Sequence, residues 1–584
     1  MAVGTVTERP GEQAAARPPP LRRLSSWVRF RISHLPPLPV ALAFLGYVAS
    51  DTPSLLPRPW YFQGLIGGIS ALIFFVIGLV LNALGRLFAR WSGFRMSIRP
   101  EARHVLGQIW HVVLFLALLT YPLLNQTWHD SVAAYVGEPP PTSLYPFLAV
   151  LTAAVVLAVF LGIWYLLNRL QQWLTSRIKR RIVRVALART VATVLTIAVV
   201  AAILDQVIIR GFLVAATSQA DELNAVTPSR AFVPMSSLRS GGPGSLVPWD
   251  SLGADAKSFV FSGPSRERIR SVTGDQGALD PIRIDAAGNK QRDLAAAKDL
   301  ILAEMDRTHA FERKAVLVLT STSTGFTNEW AAESFEYLMR GNTAIITMQY
   351  SALPSALGLL TAKQEPPEVG RLLLDAVAAR IAELPPDRRP QIYAGGESLG
   401  AYGGNGAFSS PEDMLAKVNG ALWTGTPSFT PLWRTLADER SFGSTVVNPT
   451  ISGGEHIRFA SNAAELTQDQ FGHRYGAWQA PRVVYLQHET DPVVWWSTDL
   501  ILSAPPWLDE TTAPNSPMSR MSWMPFVTFW QLTGDMAMSN TVSGGFGHRY
   551  QETETVSAWA GVLGMDPHGD YSRIERAIAV ANAE

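Results

Sequence analysis

The sequence predicts an α-helical transmembrane domain followed by an α/β domain, whose mostly parallel sheet is covered by helices and interrupted by lid insertions. Three observations carry that expectation. The first third holds apolar runs of about membrane-spanning length separated by arginine-rich loops. The remainder alternates short aliphatic runs with segments of helical periodicity. Of the 584 residues, 47% are hydrophobic and 17% charged, a balance unusually apolar for a soluble chain.

The formal net charge of +1 hides an uneven distribution, with arginines crowded into the first third and acidic groups mostly after it. Nucleic-acid binding is therefore not the first reading of the arginines. The chain has no cysteine. That excludes disulfides, thiolate metal sites and cysteine nucleophiles, while leaving the compartment open.

Residues 1–37 carry six arginines and a Pro18-Pro19-Pro20 run without apolar periodicity, and read as a disordered basic arm. Within 38–214 the apolar runs are 38–49, 60–84, 105–124, 144–167 and 185–207, which predict five helices. The first run is short for a span. Arg86, Arg90, Arg95, Arg99 and Arg103 lie between the second and third runs; Arg169, Arg177, Lys179, Arg180, Arg181 and Arg184 lie between the fourth and fifth. Positive loops face the cytoplasm. The loops at 51–59 and 125–142 hold only Arg58 and His129 as basic residues and are expected outside. Five crossings then give a multi-pass protein of the cytoplasmic membrane, with its N-terminus in the cytoplasm and everything after about residue 211 outside. His104 and His111 share a helix face but lack further ligands, so polar packing is the expected role. Gly64 and Gly68 have the spacing of a close helix contact. The expected partner of this region is the lipid bilayer.

From 215 to 276 the composition turns to Ser, Gly, Pro and Asp, with one apolar patch at 258–261, which predicts a linker with a strand or lid embedded in it. The α/β domain, 277–584, follows. Strands are expected at 281–286, 314–319, 342–349, 391–395, 419–424 and 482–487, with helices at 291–308 and 369–384, after the turn at 396–400, and at 553–563. Apolar runs without alternation indicate strands buried on both faces. The stretches 427–480 and 495–539, rich in Trp, Phe, Pro and Met, are long for plain connections and read as lid insertions. Trp433, Trp478, Trp495, Trp496, Trp507, Trp523 and Trp530 could each pack in the core; as a group they favour an apolar substrate.

Gly396-Glu397-Ser398-Leu399-Gly400 ends the fourth of these strands as G-x-S-x-G, the pattern that puts a serine on a tight strand-to-helix turn. A serine hydroxyl is a weak nucleophile without a base and a carboxylate to orient it. Asp491-Pro492, at the turn after the strand 482–487, supplies the carboxylate. His548, in the glycine-rich loop 543–550, supplies the base, and the order Ser, Asp, His suits a parallel sheet of this kind. For the oxyanion, Leu399 offers the amide after the serine, and the loop 320–326 is the natural second source, with Thr322 chosen within it. Phe471-Gly-His473-Arg-Tyr475 duplicates Phe546-Gly-His548-Arg-Tyr550. His473 precedes Asp491, which is the wrong order. His488 and Glu489 flank Asp491 and are rivals for its role, and Asp491 could instead merely cap the following turn.

With these residues in place, the elbow, the acid turn and the histidine loop resemble the α/β-hydrolase superfamily. The whole layout resembles bacterial membrane-bound α/β-hydrolases that fuse a multi-helix N-terminal domain to a catalytic domain. That resemblance implies a serine triad of Ser398, Asp491 and His548 and no cofactor or metal. Thr320-Ser321 stands where the superfamily commonly has His-Gly before the oxyanion loop. The expected function is a membrane-anchored serine hydrolase, esterase- or lipase-like, acting through an acyl-enzyme on an apolar or envelope ester. The alternatives are an acyltransferase with the same triad and a catalytically inactive scaffold or sensor.

Overall fold

The structure, a computed structural model, describes residues 37–93, 100–179, 185–203, 205–206, 210–287, 293–510 and 516–583. The basic arm lies outside these, apart from its last residue. The chain forms two compact units. One is built from the described parts of Met1–Val48, Gly67–Thr120 and Val150–Ala201; the other comprises Ala49–Ile66, Tyr121–Ala149 and Ala202–Glu584.

The apolar runs fold as α1 (Pro37–Ser50), α2 (Trp60–Trp91), α3 (Pro100–Tyr135), α4 (Tyr145–Ile178) and α5 (Val185–Ile203). Among the described residues, α2, α4 and α5 are long and apolar enough to cross a membrane. At 14 residues α1 is shorter than the roughly 20 needed for a span. Within the first unit α2 approaches α4 at Gly68, where a Cβ would come within 2.8 Å of Val156 Cβ. That small residue permits the contact. The side chains of His104 and His111 lie outside the described set.

After α6 (Arg210–Ala225) come α7 (Ala254–Phe261) and α8 (Arg266–Thr273). The expected linker is therefore ordered, and its apolar patch at 258–261, read as an embedded strand or lid, is the end of a helix. Ala256, Phe259 and Val260 all point into the core from α7, a helical spacing that the short apolar patch conceals.

The sheet has seven strands: β1 (Ile282–Ala287), β2 (Ala315–Thr320), β3 (Thr343–Gln349), β4 (Gln391–Glu397), β5 (Gly420–Thr424), β6 (Ile457–Ala460) and β7 (Arg482–Leu486). They run in the order β1-β3-β2-β4-β5-β7-β6, parallel throughout. β2, β3 and β5 are buried at every residue, as the unalternated apolar runs predicted. Six of the seven strands match the expected positions. The seventh, β6, falls inside the stretch read as a lid. Its Arg458 stacks on Tyr475 and Trp478 and donates to the Gly454, Leu466 and Gly476 carbonyls, so a charged residue sits inside an otherwise apolar strand.

The helices around the sheet are α9 (Leu294–Arg307), α10 (Glu329–Leu338), α11 (Ser355–Thr361), α12 (Glu365–Ala382), α13 (Leu399–Asn405), α14 (Pro411–Lys417), α15 (Pro431–Asp438), α16 (Pro492–Trp495), α17 (Val527–Met536), α18 (Glu552–Val562) and α19 (Ser572–Ala583). Trp433, Trp495 and Trp507 are core residues in the stretches read as lids. The Trp433 indole donates to Gln487 and that of Trp495 to the Glu489 carbonyl, which satisfies the one polar atom each ring buries.

Candidate active site

The register of β4 between β2 and β5 carries Ser398 to the carboxyl edge of the sheet centre. Ser398 has φ 58° and ψ −122°, a strained geometry outside the regions open to ordinary L-residues. Its amide is pinned by the Thr424 carbonyl at 3.0 Å. The flanking glycines are dictated by space. A Cβ at Gly396 would meet Gly400 C at 2.7 Å, and one at Gly400 would meet the Thr320 carbonyl oxygen at 2.2 Å. The turn leads straight into α13, whose first amide, that of Leu399, has no acceptor within the helix.

Asp491 follows β7 and divides its two oxygens. Oδ1 accepts from the Val493 amide at 2.8 Å, capping α16. Oδ2 accepts from His548 Nδ1 at 2.6 Å and from the Tyr550 hydroxyl at 2.7 Å. The capping role is thus real and leaves the other oxygen for the imidazole. His548 is held by its own amide, which donates to the Ser539 carbonyl at 2.8 Å. Its ring fits against Gly425, where φ is +55° and a Cβ would lie 2.4 Å from His548 Cε1. The other ring nitrogen, Nε2, is buried and makes no hydrogen bond among the described residues.

Burial works against the imidazolium of His548. The Asp491 charge and hydrogen bond, joined by the charge of Glu397, outweigh it and raise the pKa above its ordinary 6.5. Glu397, the variable residue beside the serine, is itself buried. Burial pushes its carboxyl up, against the opposing pull of His548 and of hydrogen bonds from Asn328 and Thr424. Burial, then Asp491, drives the Tyr550 phenol far above its ordinary value, so it remains a donor.

Ser398, Leu399, His548, Glu397 and Tyr550 line one cavity of 640 Å³. Its remaining wall is largely apolar, with Phe326, Trp330, Leu359, Phe429, Trp496 and Met536. Of the seven tryptophans singled out in the sequence, only Trp496 reaches it. Thr322 also lines it, but its amide donates to the Phe326 carbonyl at 2.9 Å, closing the turn around Gly325. The Thr322 amide expected from the sequence is thus engaged within the turn, and the Thr322 hydroxyl stands 3.5 Å from that of Thr324.

The rivals fall elsewhere. His473 is exposed and pairs with Asp469. His488 is buried between Glu554, 2.7 Å from its Nε2, and the Gly547 carbonyl, 2.8 Å from its Nδ1. Glu489 takes the Tyr135 hydroxyl. Tyr550, Glu397, Asn328 and Gly425 were not singled out as site residues. Tyr550 had a signal in the duplicated Phe-Gly-His-Arg-Tyr motif; Asn328 and Gly425 had none, because their roles arise from contacts distant in sequence.

A strained serine at a strand-to-helix turn in a parallel sheet, sharing a cavity with a His–Asp pair, defines the α/β-hydrolase class. The comparison with protein families agrees. Residues 282–574 match the model described as alpha/beta-hydrolase family, and residues 52–264 match the alpha/beta-hydrolase family N-terminus. The chain belongs to this family. No curated protein and no solved structure matched it.

Proposed function

We propose that the protein is a membrane-anchored serine hydrolase cleaving carboxylic esters with an apolar acyl group. Ser398 attacks the ester carbonyl, and His548 Nε2 takes its proton. Asp491 holds the imidazole tautomer and stabilises its cation. The Leu399 amide and the Thr322 hydroxyl serve the oxyanion. Loss of the alcohol, which accepts the proton from His548, leaves an acyl-serine that water releases by the same proton route. The observation that carries this reading is the conjunction of the strained Ser398 with the buried His548–Asp491 pair on one cavity. The apolar cavity wall supports the substrate class.

We propose further that the α/β unit lies outside the cytoplasmic membrane. Two supports agree: the arginine-rich loops lie on alternate connections, and the arginine-poor segments Ala49–Ile66 and Tyr121–Ala149 belong to the same compact unit as the α/β fold. The test is hydrolysis of chromogenic esters of graded acyl length by the purified full chain. Activity that rises with acyl length and vanishes in Ser398→Ala is expected; equal activity in Ser398→Ala would refute the assignment.

A further inference from the structure

Two short segments far from the triad in sequence are built into the support of the histidine loop. The first, 51–58, connects α1 to α2. Its Leu55 and Leu56 are buried in the same apolar core as the sheet. Asp535, buried on α17, accepts from the Leu55 amide at 3.0 Å and from the Ser54 hydroxyl. Arg58, also buried, lies 3.4 Å from the other oxygen of Asp535 and donates to the Gln531 carbonyl at 3.3 Å. Gln531 in turn donates to the Ser50 and Thr52 carbonyls at 3.2 and 3.1 Å. The path to the base is short. Ser539, three residues beyond α17, accepts from the His548 amide, and Leu56 abuts Gly547, where a Cβ would lie 3.4 Å from Leu56 Cδ1 and 2.5 Å from the Ser539 carbonyl oxygen.

The second segment, 135–138, ends α3. The Tyr135 ring packs edge-on against Phe546 at 5.7 Å, and its hydroxyl donates to Glu489, two residues before Asp491. Glu138 accepts from Ser543, at the start of the histidine loop, at 3.3 Å. Asp51, bonded to Asn125 and His129 of α3 at 3.0 Å each, ties the first segment to the helix that ends in the second. Arg58 and His129, the basic residues that stood out in two otherwise arginine-poor loops, are thus committed to carboxylates of this support.

We infer that the connections between the apolar helices form a cradle that sets the position of His548, with Arg58, Leu56 and Tyr135 as positioning residues acting through Asp535, Gly547 and Glu489. A glycine-rich loop has little rigidity of its own. Catalysis by the base requires its nitrogen within hydrogen-bond reach of the serine, and displacement of about 1 Å can cost on the order of 100-fold in rate. Leu56, Tyr135 and Glu138 each touch this loop, at Gly547, Phe546 and Ser543 respectively. The N-terminal helical region then contributes to the reaction besides attaching the enzyme to a membrane.

The inference rests on the serine-hydrolase reading, and one experiment separates the two. Full-length protein carrying Arg58→Met, Arg58→Lys or Leu56→Ala is compared with wild type for fluorophosphonate labelling and ester hydrolysis, each rate constant normalised to the labelled sites. The expected result is a loss of about tenfold or more in labelling rate and kcat for Arg58→Met and Leu56→Ala, with KM little changed and Arg58→Lys recovering most of the rate. A purely structural role would lower the unfolding temperature and the number of labelled sites, yet leave the rate per site at the wild-type value. That result overturns the inference. Where Arg58→Met does not accumulate as folded protein, Leu56→Ala is decisive by the same criterion. Failure of wild type to label would instead sink the hydrolase reading.

Discussion

In the proposed mechanism Ser398, His548 and Asp491 make the chemistry depend on protonation in a definite direction. His548 acts as base only when neutral, and its pKa is raised. Acylation is therefore lost as pH falls through a midpoint above 6.5 and is full on the alkaline side. Asp491→Asn removes the largest raising influence, so any residual activity should show its midpoint at lower pH, with kcat down on the order of 10³–10⁴-fold. A pH–rate profile checks both. Gly425→Ala places a methyl against the imidazole and imposes a strained positive φ; activity should fall by at least about 100-fold, with kcat rather than KM carrying the loss. Asp285 tests stability instead. Burial, and then the Asp255 charge, raises its carboxyl to about 7, and its oxygens have no hydrogen-bond partner among the described residues. The folded state holds this proton more tightly than the unfolded chain. Stability is thus lost as pH rises between the unfolded value near 4 and about 7. Asp285→Asn should raise the unfolding temperature, more at pH ~8 than at pH ~5, which thermal scans at the two pH values would show.

Element by element, the strands were legible where the signal was an unbroken apolar run. β2, β3 and β7 lie where aliphatic and β-branched residues cluster, because strands covered on both faces need no polar alternation. β6 was illegible for a physical reason: its buried Arg458 is satisfied by carbonyls and rings from 454–478, none of which a period detects. α7 was misread because only its final turn is apolar enough to attract notice. At the other sheet edge, Arg283 on β1 makes two 2.8 Å bonds to Glu336 and one to Glu329, all inside the fold. Removing the Glu336 charge leaves Arg283 with Glu329, the Phe259 carbonyl and the Ser262 hydroxyl as partners. Glu336→Gln should cost about 1–3 kcal/mol in chemical denaturation, while kcat per folded molecule stays at the wild-type value.

Over the whole molecule, the order of Ser398, Asp491 and His548 could be read from the sequence because Ser398 and Asp491 each follow a strand and His548 lies in a glycine-rich loop further along the chain. The cavity could not, since Trp330 of α10, Phe429 and Met536 of α17 are brought together from positions far apart in the chain. Nor could the membership of 49–66 and 121–149 in the catalytic unit, because no local pattern distinguishes a connection left in solvent from one buried under a distant loop. That membership bears on topology: a reporter fused after Glu584 should be active only outside the cytoplasm, and cytoplasmic activity would reverse the proposed orientation. The central claim is that Ser398 is a nucleophile activated by His548. The most direct measurement is mass-spectrometric mapping of a fluorophosphonate adduct on the full-length protein. A single adduct is expected on the peptide containing Ser398, absent from Ser398→Ala and strongly slowed in His548→Ala. No adduct on folded wild type, or an adduct at another residue that persists in Ser398→Ala, would contradict that claim.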